Sequence, residues 1–445
     1  MTKNNYWLKS GTLNLMQNGL TVLLGFLSFY FLVRILDVDD YGAWILFLSA
    51  TSIIELTRNG LTQDALVKYL SSAEEGDKVK INAAALSINA ITTIIIFALI
   101  FVFAGWFGHI WKSDKIVVML HLYTITFLFS GLQSFFNCNE QASLNFTGVF
   151  YSNIAKQFVL FAYIFYRFIT KTPTDIINLT ITQMVGTVIA AVIAFLYARK
   201  KMKFNFVLEK EWLKKIFNFG KYTFGTAINT FLGSSIDQMM LGSMLSKSAS
   251  GIFNIAVRIS SLINIPTITI ATIVFPQSSR RIQQEGDQSL KHLFEKSVGV
   301  TLAILLPLLI GTFAFSDYII PIVATDKYVQ AIPLLKITLL SALFTPYALQ
   351  SGIILTSAGK TKFNFYLTAI SATVMIALNY FFIRSFGIIG AAYATLLSNM
   401  IGTSIALFYL KKNYNVNFFS PWIYAFKFYP EFYYTYIKKG VKRIG

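Results

Sequence analysis

This chain is short of charge. Only 13% of its 445 residues are Asp, Glu, Lys or Arg, against 55% hydrophobic, where a soluble domain carries about 25% charged residues. The deficit excludes a water-facing surface over most of the molecule and points to a polytopic membrane protein. A single cysteine, Cys138, excludes an intramolecular disulfide and a cysteine-held metal. Three scattered histidines, His109, His121 and His292, argue against a histidine metal site. There is no GxxxxGK[ST] run, which argues against ATP hydrolysis, and there are no paired carboxylates or nucleophile elbow. The chain therefore reads as a non-enzyme without a resident cofactor. Its start, MTKNNYWLKSGTLNL, lacks a cleavable signal pattern and reads as leading into a permanent first span.

What is abundant is apolar sequence in long runs. Twelve segments between Leu13 and Leu410 approach the length of a bilayer crossing: 13–36, 42–61, 81–107, 116–137, 148–169, 176–198, 220–243, 251–275, 297–316, 329–357, 364–383 and 387–410. A helix rises about 1.5 Å per residue, so each covers or nearly covers the ~30 Å hydrocarbon core. Open strands are excluded because lipid cannot satisfy their edges, and the runs are too evenly apolar for barrel strands. The expected fold is all-α with twelve transmembrane helices. The expected divisions are an N-terminal six-helix bundle (1–198), a basic linker (199–219), a C-terminal six-helix bundle (220–410) and a basic, aromatic tail (411–445).

The net charge of +18 could suggest nucleic acid, but membrane proteins load Lys and Arg into cytoplasmic loops. With the N-terminus inside, 26 of the 38 Lys and Arg fall on the cytoplasmic side, eight on the other and four within spans. Both termini are thus expected in the cytoplasm, with no nucleic-acid partner. The segment RKKMKFNFVLEKEWLKKIFNFGK (199–221) reads either as an interfacial amphipathic helix, with Trp212, Ile216 and Phe219 among lysines, or as an ordinary positive linker. The aromatic tail, 418–436, is too broken to span and reads as an anchor in the headgroup zone.

The two halves also echo each other. RILDVDDYGAWILFLSATSII and SMLSKSASGIFNIAVRISSLI align without gaps, placing Gly42 on Gly251 and Trp44 on Phe253. Two similarly oriented halves are a common transporter construction. Prolines at 266, 307, 333 and 346 lie inside spans 8 to 10, where helices can bend.

Four cations lie within spans and away from their ends: Arg58, Lys156, Arg258 and Lys336. A buried cation costs several kcal/mol, on the order of 3 or more, unless it faces protein, water or an anion. Lys156 lies roughly 12 Å into span 5, with no acid in its own span. Glu55 sits three residues before Arg58, on one helix face, and Asp237 lies in span 7. Two readings stand side by side: a water-filled cavity receptive to phosphate, or structural pairs of Arg58 with Glu55 and Arg258 with Asp237. Glu55 and Asp237 could equally bind a coupling proton or sodium ion.

Four stretches carry a family resemblance: RILDVDDYGAW (34–44), SSIDQMMLGSMLSKSASGIFNIAVRIS (234–260), ILTSAGKTKFNFY (354–366) and FGIIGAAYATLLSN (386–399). In this order and spacing the chain resembles the polysaccharide transporters of the multidrug/oligosaccharidyl-lipid/polysaccharide exporter superfamily, the O-antigen and capsule repeat-unit flippases. The resemblance implies two six-helix bundles in a V around a central cavity in the bacterial cytoplasmic membrane. It implies alternating access that moves an undecaprenyl-diphosphate-linked oligosaccharide to the outer leaflet. It also implies proton or sodium antiport, with Asp237 at the family's span 7 aspartate, and membrane lipids, a glycan polymerase and chain-length machinery as partners. The alternatives are a multidrug extrusion antiporter, which would favour an acidic cavity, a peptidoglycan-precursor flippase, and, from another class, a glycan polymerase or ligase. The short outer loops count against the last.

Overall fold

The computed structural model describes residues 3–143, 145–199, 202, 207–271, 274 and 288–432. These are helical almost throughout, with no strand among the described residues. Eight of the described helices are long and apolar enough to cross a bilayer, or nine if one bent pair counts as a single span. This many apolar helices make the chain a multi-pass membrane protein.

The chain divides into two compact units, 1–231 with 246–251, and 232–245 with 252–445. The first contains α1 (Lys3–Ile35), α2 (Val38–Arg58), α3 (Asp64–Ser72), α4 (Glu75–Ile110), α5 (Asp114–Ala142), α6 (Thr147–Ile169), α7 (Ile176–Ala198) and the start of α8 (Lys210–Met244). Within it α5 and α6 both pack along α7, α1 lies on α6, and α4 lies on α5. The Asp37 carboxylate caps α2 by accepting from the Asp40 N–H at 2.6 Å. Asp39 and Asp40 then place negative charge at the positive end of that helix. At its far end α2 runs into a π-helical turn, Asn59–Gln63, a rare form that recurs at functional sites. The outer face of α4 carries Ile94, Phe101 and Val102, 68%, 78% and 71% exposed, which suits lipid and not water.

Three of the expected spans, 42–61, 148–169 and 220–243, coincide with α2, α6 and α8 but fall short of the apolarity of the eight. Polar and charged side chains interrupt each of them, including Glu55 and Arg58 in α2 and Lys156 and Arg167 in α6.

The linker expectation changes. From Lys210 the chain is already in α8, which continues unbroken to Met244. Ile216 is fully buried, and Trp212, Leu213 and Phe219 pack with it against Ala65, Leu66 and Leu70 of α3. Tyr69 meets both Trp212 and Phe219 edge-on. The apolar stripe expected in the headgroup zone is thus satisfied by protein. Phe204 and Phe206 of that segment lie outside the described residues.

The second unit holds the rest of α8, α9 (Lys247–Ile263) beyond Gly251, α10 (Ile265–Ala271), α11 (Gln288–Ala314), α12 (Ser316–Ala324), α13 (Ala331–Ala342), α14 (Thr345–Ser357), α15 (Thr361–Phe386), α16 (Ile388–Tyr414) and α17 (Ser420–Phe432). Prolines break two of the expected spans. α9 and α10 meet at a 46° bend two residues before Pro266, and Pro346 opens α14 after α13 stops at Ala342. Pro307 lies inside α11 without ending it. Between α15 and α16 the chain reverses at Gly387, whose φ of 64° is open to glycine at little cost.

The tail also differs from expectation. α17 packs along α11. Tyr429 donates to the Ala303 carbonyl at 2.6 Å, Tyr347 to the Phe418 carbonyl at 3.1 Å, and the Asn417 N–H to Glu295 at 2.8 Å. Ala425 is buried in that contact, while Phe419, Ile423 and Phe426 point outward. One face of the aromatic segment is thus a protein contact and only the other is open. Lys438, Lys439, Lys442 and Arg443 lie outside the described residues.

Candidate functional site

In the first unit, α2, α5, α6 and α7 surround polar space. The sequence puts Glu55 and Arg58 one turn apart on α2, and α5 supplies their partners. Arg58 is 1% exposed. Its guanidinium pairs with Glu55, donates to the Ser130 hydroxyl at 2.9 Å and to the Phe127 carbonyl at 2.6 Å, and lies 4.3 Å from the Phe127 ring. Glu55 accepts further hydrogen bonds from the hydroxyls of Tyr123 (2.8 Å) and Ser130 (2.7 Å). Three donors converge on one carboxylate. Removing either charge would strand the other.

Lys156 differs. It lines two cavities, of about 380 Å³ and about 180 Å³, that share Glu55, Asn59 and Lys156 itself. Among the described residues its ammonium makes no hydrogen bond and no ion pair. Arg58 is committed to protein partners, so Lys156 is the cation this site can offer to something else.

The second unit holds Asp237, 5% exposed. One carboxylate oxygen accepts from the Asn379 amide at 2.6 Å and the other from the Thr395 hydroxyl at 3.0 Å. Of the two readings, the structural pair of Asp237 with Arg258 is not seen, and the Asp237 carboxylate is taken up instead by α15 and α16. Arg258 lies half-buried on α9. Lys336 pairs with Asp317 at 3.0 Å across the turns joining α12 and α13, a third exposed. That acid lies outside span 10, so counting within the span does not find it.

Sequence reasoning brings out the charges and misses the neutral partners. Tyr123, Ser130, Asn379 and Thr395 come from other helices and carry no signal of their own. One signal was available: Gln133, Asn137 and Gln141 recur every four residues along α5, a polar stripe in an otherwise apolar helix.

Comparison with known proteins gives the family and the fold. Residues 31–333 match the family described as polysaccharide biosynthesis protein. A probable low-salt glycan biosynthesis flippase of Haloferax volcanii is 23% identical, over 89% of this chain and 81% of that protein. The teichuronic acid biosynthesis protein TuaB of Bacillus subtilis is 23% identical over 63% of this chain, though only 57% of its own length is matched. In fold, the chain is similar to the lipid II flippase MurJ in an inward closed conformation, with a TM-score of 0.75, 17% identity, and 89% and 87% of the two chains covered. It is also similar to an inward-facing multidrug resistance MATE transporter, with a TM-score of 0.72, 13% identity, and 89% and 94% covered. This chain belongs to the polysaccharide biosynthesis protein family, with the fold of the multidrug/oligosaccharidyl-lipid/polysaccharide exporter superfamily.

Proposed function

We propose that this protein is a flippase for lipid-linked oligosaccharide, carrying undecaprenyl-diphosphate-linked repeat units from the cytoplasmic to the outer leaflet of a bacterial inner membrane. The observation that carries this reading is Lys156, an unpartnered cation in polar space inside a membrane bundle. Such a charge is costly in an apolar protein unless an anion visits it. The anionic headgroup of a glycan lipid is that visitor. Family membership and the glycan flippases among its relatives support the same substrate class.

Twelve spans in two six-helix bundles that alternate access, divided ahead of the helix that begins at Lys210, with both termini and the tail from 411 in the cytoplasm, belong to this proposal. So does ion coupling. Asp237 between Asn379 and Thr395 is a buried carboxylate that pairs with no cation among the described residues, and a proton or sodium ion fits it. Lys156 is the primary substrate contact. Arg58 acts by holding Glu55, Arg258 is the second unit's candidate, and Lys336 stands apart in its pair with Asp317. The protein works as a transporter and supplies its product to the polymerase and chain-length machinery.

The multidrug transporters share the fold, but a cationic drug would meet a free ammonium at Lys156. Surface glycan and the lipid-linked pool in a strain lacking the gene separate the two. The flippase reading expects lost display, with repeat units accumulating on the cytoplasmic leaflet. Normal display with raised sensitivity to cationic drugs overturns it.

A further inference from the structure

We infer that the two adjoining cavities of the first unit form a sugar-binding pocket for an acidic sugar, which takes up the glycan's carboxylate-bearing residue and not its diphosphate. The inference rests on the flippase reading and adds which part of the headgroup is recognised here.

The smaller cavity is lined by an unusual number of carboxamides: Asn59, Gln63, Gln133, Asn137, Gln141 and Asn153. Each offers an acceptor and two donors in one plane, the complement of neighbouring sugar hydroxyls, which both donate and accept. Three of the carboxamides are braced. Gln133 donates to Asn153 at 3.1 Å, and the Ser152 hydroxyl donates to Asn137 at 3.1 Å. The side chains of Asn59, Gln63 and Gln141 make no hydrogen bond among the described residues. The Asn59 carbonyl oxygen is buried without a donor, as is that of Gln183 in the larger cavity. Unmet polar groups in a bundle core are costly and mark a place where a polar ligand completes them.

Charge limits what that ligand is. Glu55 and Arg58 cancel in their pair, and Lys156 is left with one positive charge facing the same space. One free ammonium suits one carboxylate. A diphosphate carries at least two negative charges, and it would sit beside the Glu55 carboxylate with a single cation to answer it. Carboxamides for hydroxyls and one lysine for one acid describe a uronic acid-like residue.

The test uses the full-length protein in lipid nanodiscs and saturation-transfer NMR with methyl glucuronoside and methyl galacturonoside. A transfer signal is expected for at least one uronoside. It should fall about tenfold for the matching neutral glycoside and in Lys156→Met, as for a lost charge-assisted hydrogen bond. It should also fall in Gln141→Leu, whose side chain makes no hydrogen bond among the described residues, and persist under excess inorganic pyrophosphate. No uronoside signal, an equal signal from the neutral glycosides, or displacement by pyrophosphate overturns the inference. The gene-deletion strain keeps the two readings apart. If the wild-type gene restores surface glycan while the uronosides fail to bind, only the pocket assignment falls.

Discussion

Gly42 and Gly251 touch where α2 and α9 begin: a Cβ on Gly251 would stand 3.0 Å from the Cα of Gly42. A Cβ on Gly42 would run into the Lys247 carbonyl group, which is backbone and cannot rotate away. Asp39 closes the same corner, bonding the Ser248 hydroxyl and lying 3.6 Å from the Lys247 ammonium. Gly42→Val should cost about 1–3 kcal/mol by overpacking, seen as a lower unfolding midpoint of the purified protein. Gly105→Ala is the control, since nothing lies within 4 Å of its added Cβ, and it should leave the midpoint unchanged or slightly higher. Equal midpoints for the two variants would dismiss the contact.

Glu55→Gln leaves Arg58 buried with its charge unanswered. Breaking a buried pair from one side costs about 3–5 kcal/mol, with the lower end expected because Glu55 is 27% exposed. The double variant Glu55→Gln with Arg58→Met should recover most of that loss. A double variant less stable than Glu55→Gln alone would show that Arg58 contributes through its bonds to Phe127 and Ser130 and not through the pair.

Asp237→Asn keeps the size of the side chain and removes its charge. If Asp237 carries the coupling ion, transport by this variant should no longer respond to an imposed proton or sodium gradient, while protein abundance stays normal. An unchanged gradient response in Asp237→Asn would move coupling elsewhere, with Glu55 the next carboxylate to test.

Two positions one residue apart on α17 should behave oppositely in detergent. Ala425 is buried against α11, so Ala425→Glu buries a carboxylate without a partner and should cost several kcal/mol, about 3, or release the helix. Phe426 points outward at 67% exposure, so Phe426→Glu should shift stability by less than about 0.5 kcal/mol. Limited proteolysis together with the unfolding midpoint reads both.

Much of the architecture is legible because the bilayer dictates it. A solvent without hydrogen bonds forces long apolar helices, and these stand out in the sequence even where α2, α6 and α8 are diluted by polar residues. Proline placed the breaks at Asn264 and before Pro346, since its effect on a helix is local. The Gly42–Gly251 alignment proved to be a contact because both glycines open helices after matching turns. The Glu55–Arg58 pair could be read as well, being one helical turn long. What could not be read depends on which helix faces which. Asp237 meets Asn379 and Thr395, 142 and 158 residues away. The stripe of Trp212, Ile216 and Phe219 looks the same whether lipid or α3 covers it. Amphipathicity says that a face is buried and is silent about what buries it.

The most direct measurement reconstitutes the purified protein into vesicles containing lipid-diphosphate-linked oligosaccharide and follows the fraction of sugar open to a membrane-impermeant glycosidase. The account predicts that wild-type protein makes inner-leaflet oligosaccharide accessible over time, and that Lys156→Glu, inserted in equal amount, does not. An accessible fraction that rises equally with Lys156→Glu, or not at all with wild type, would contradict it.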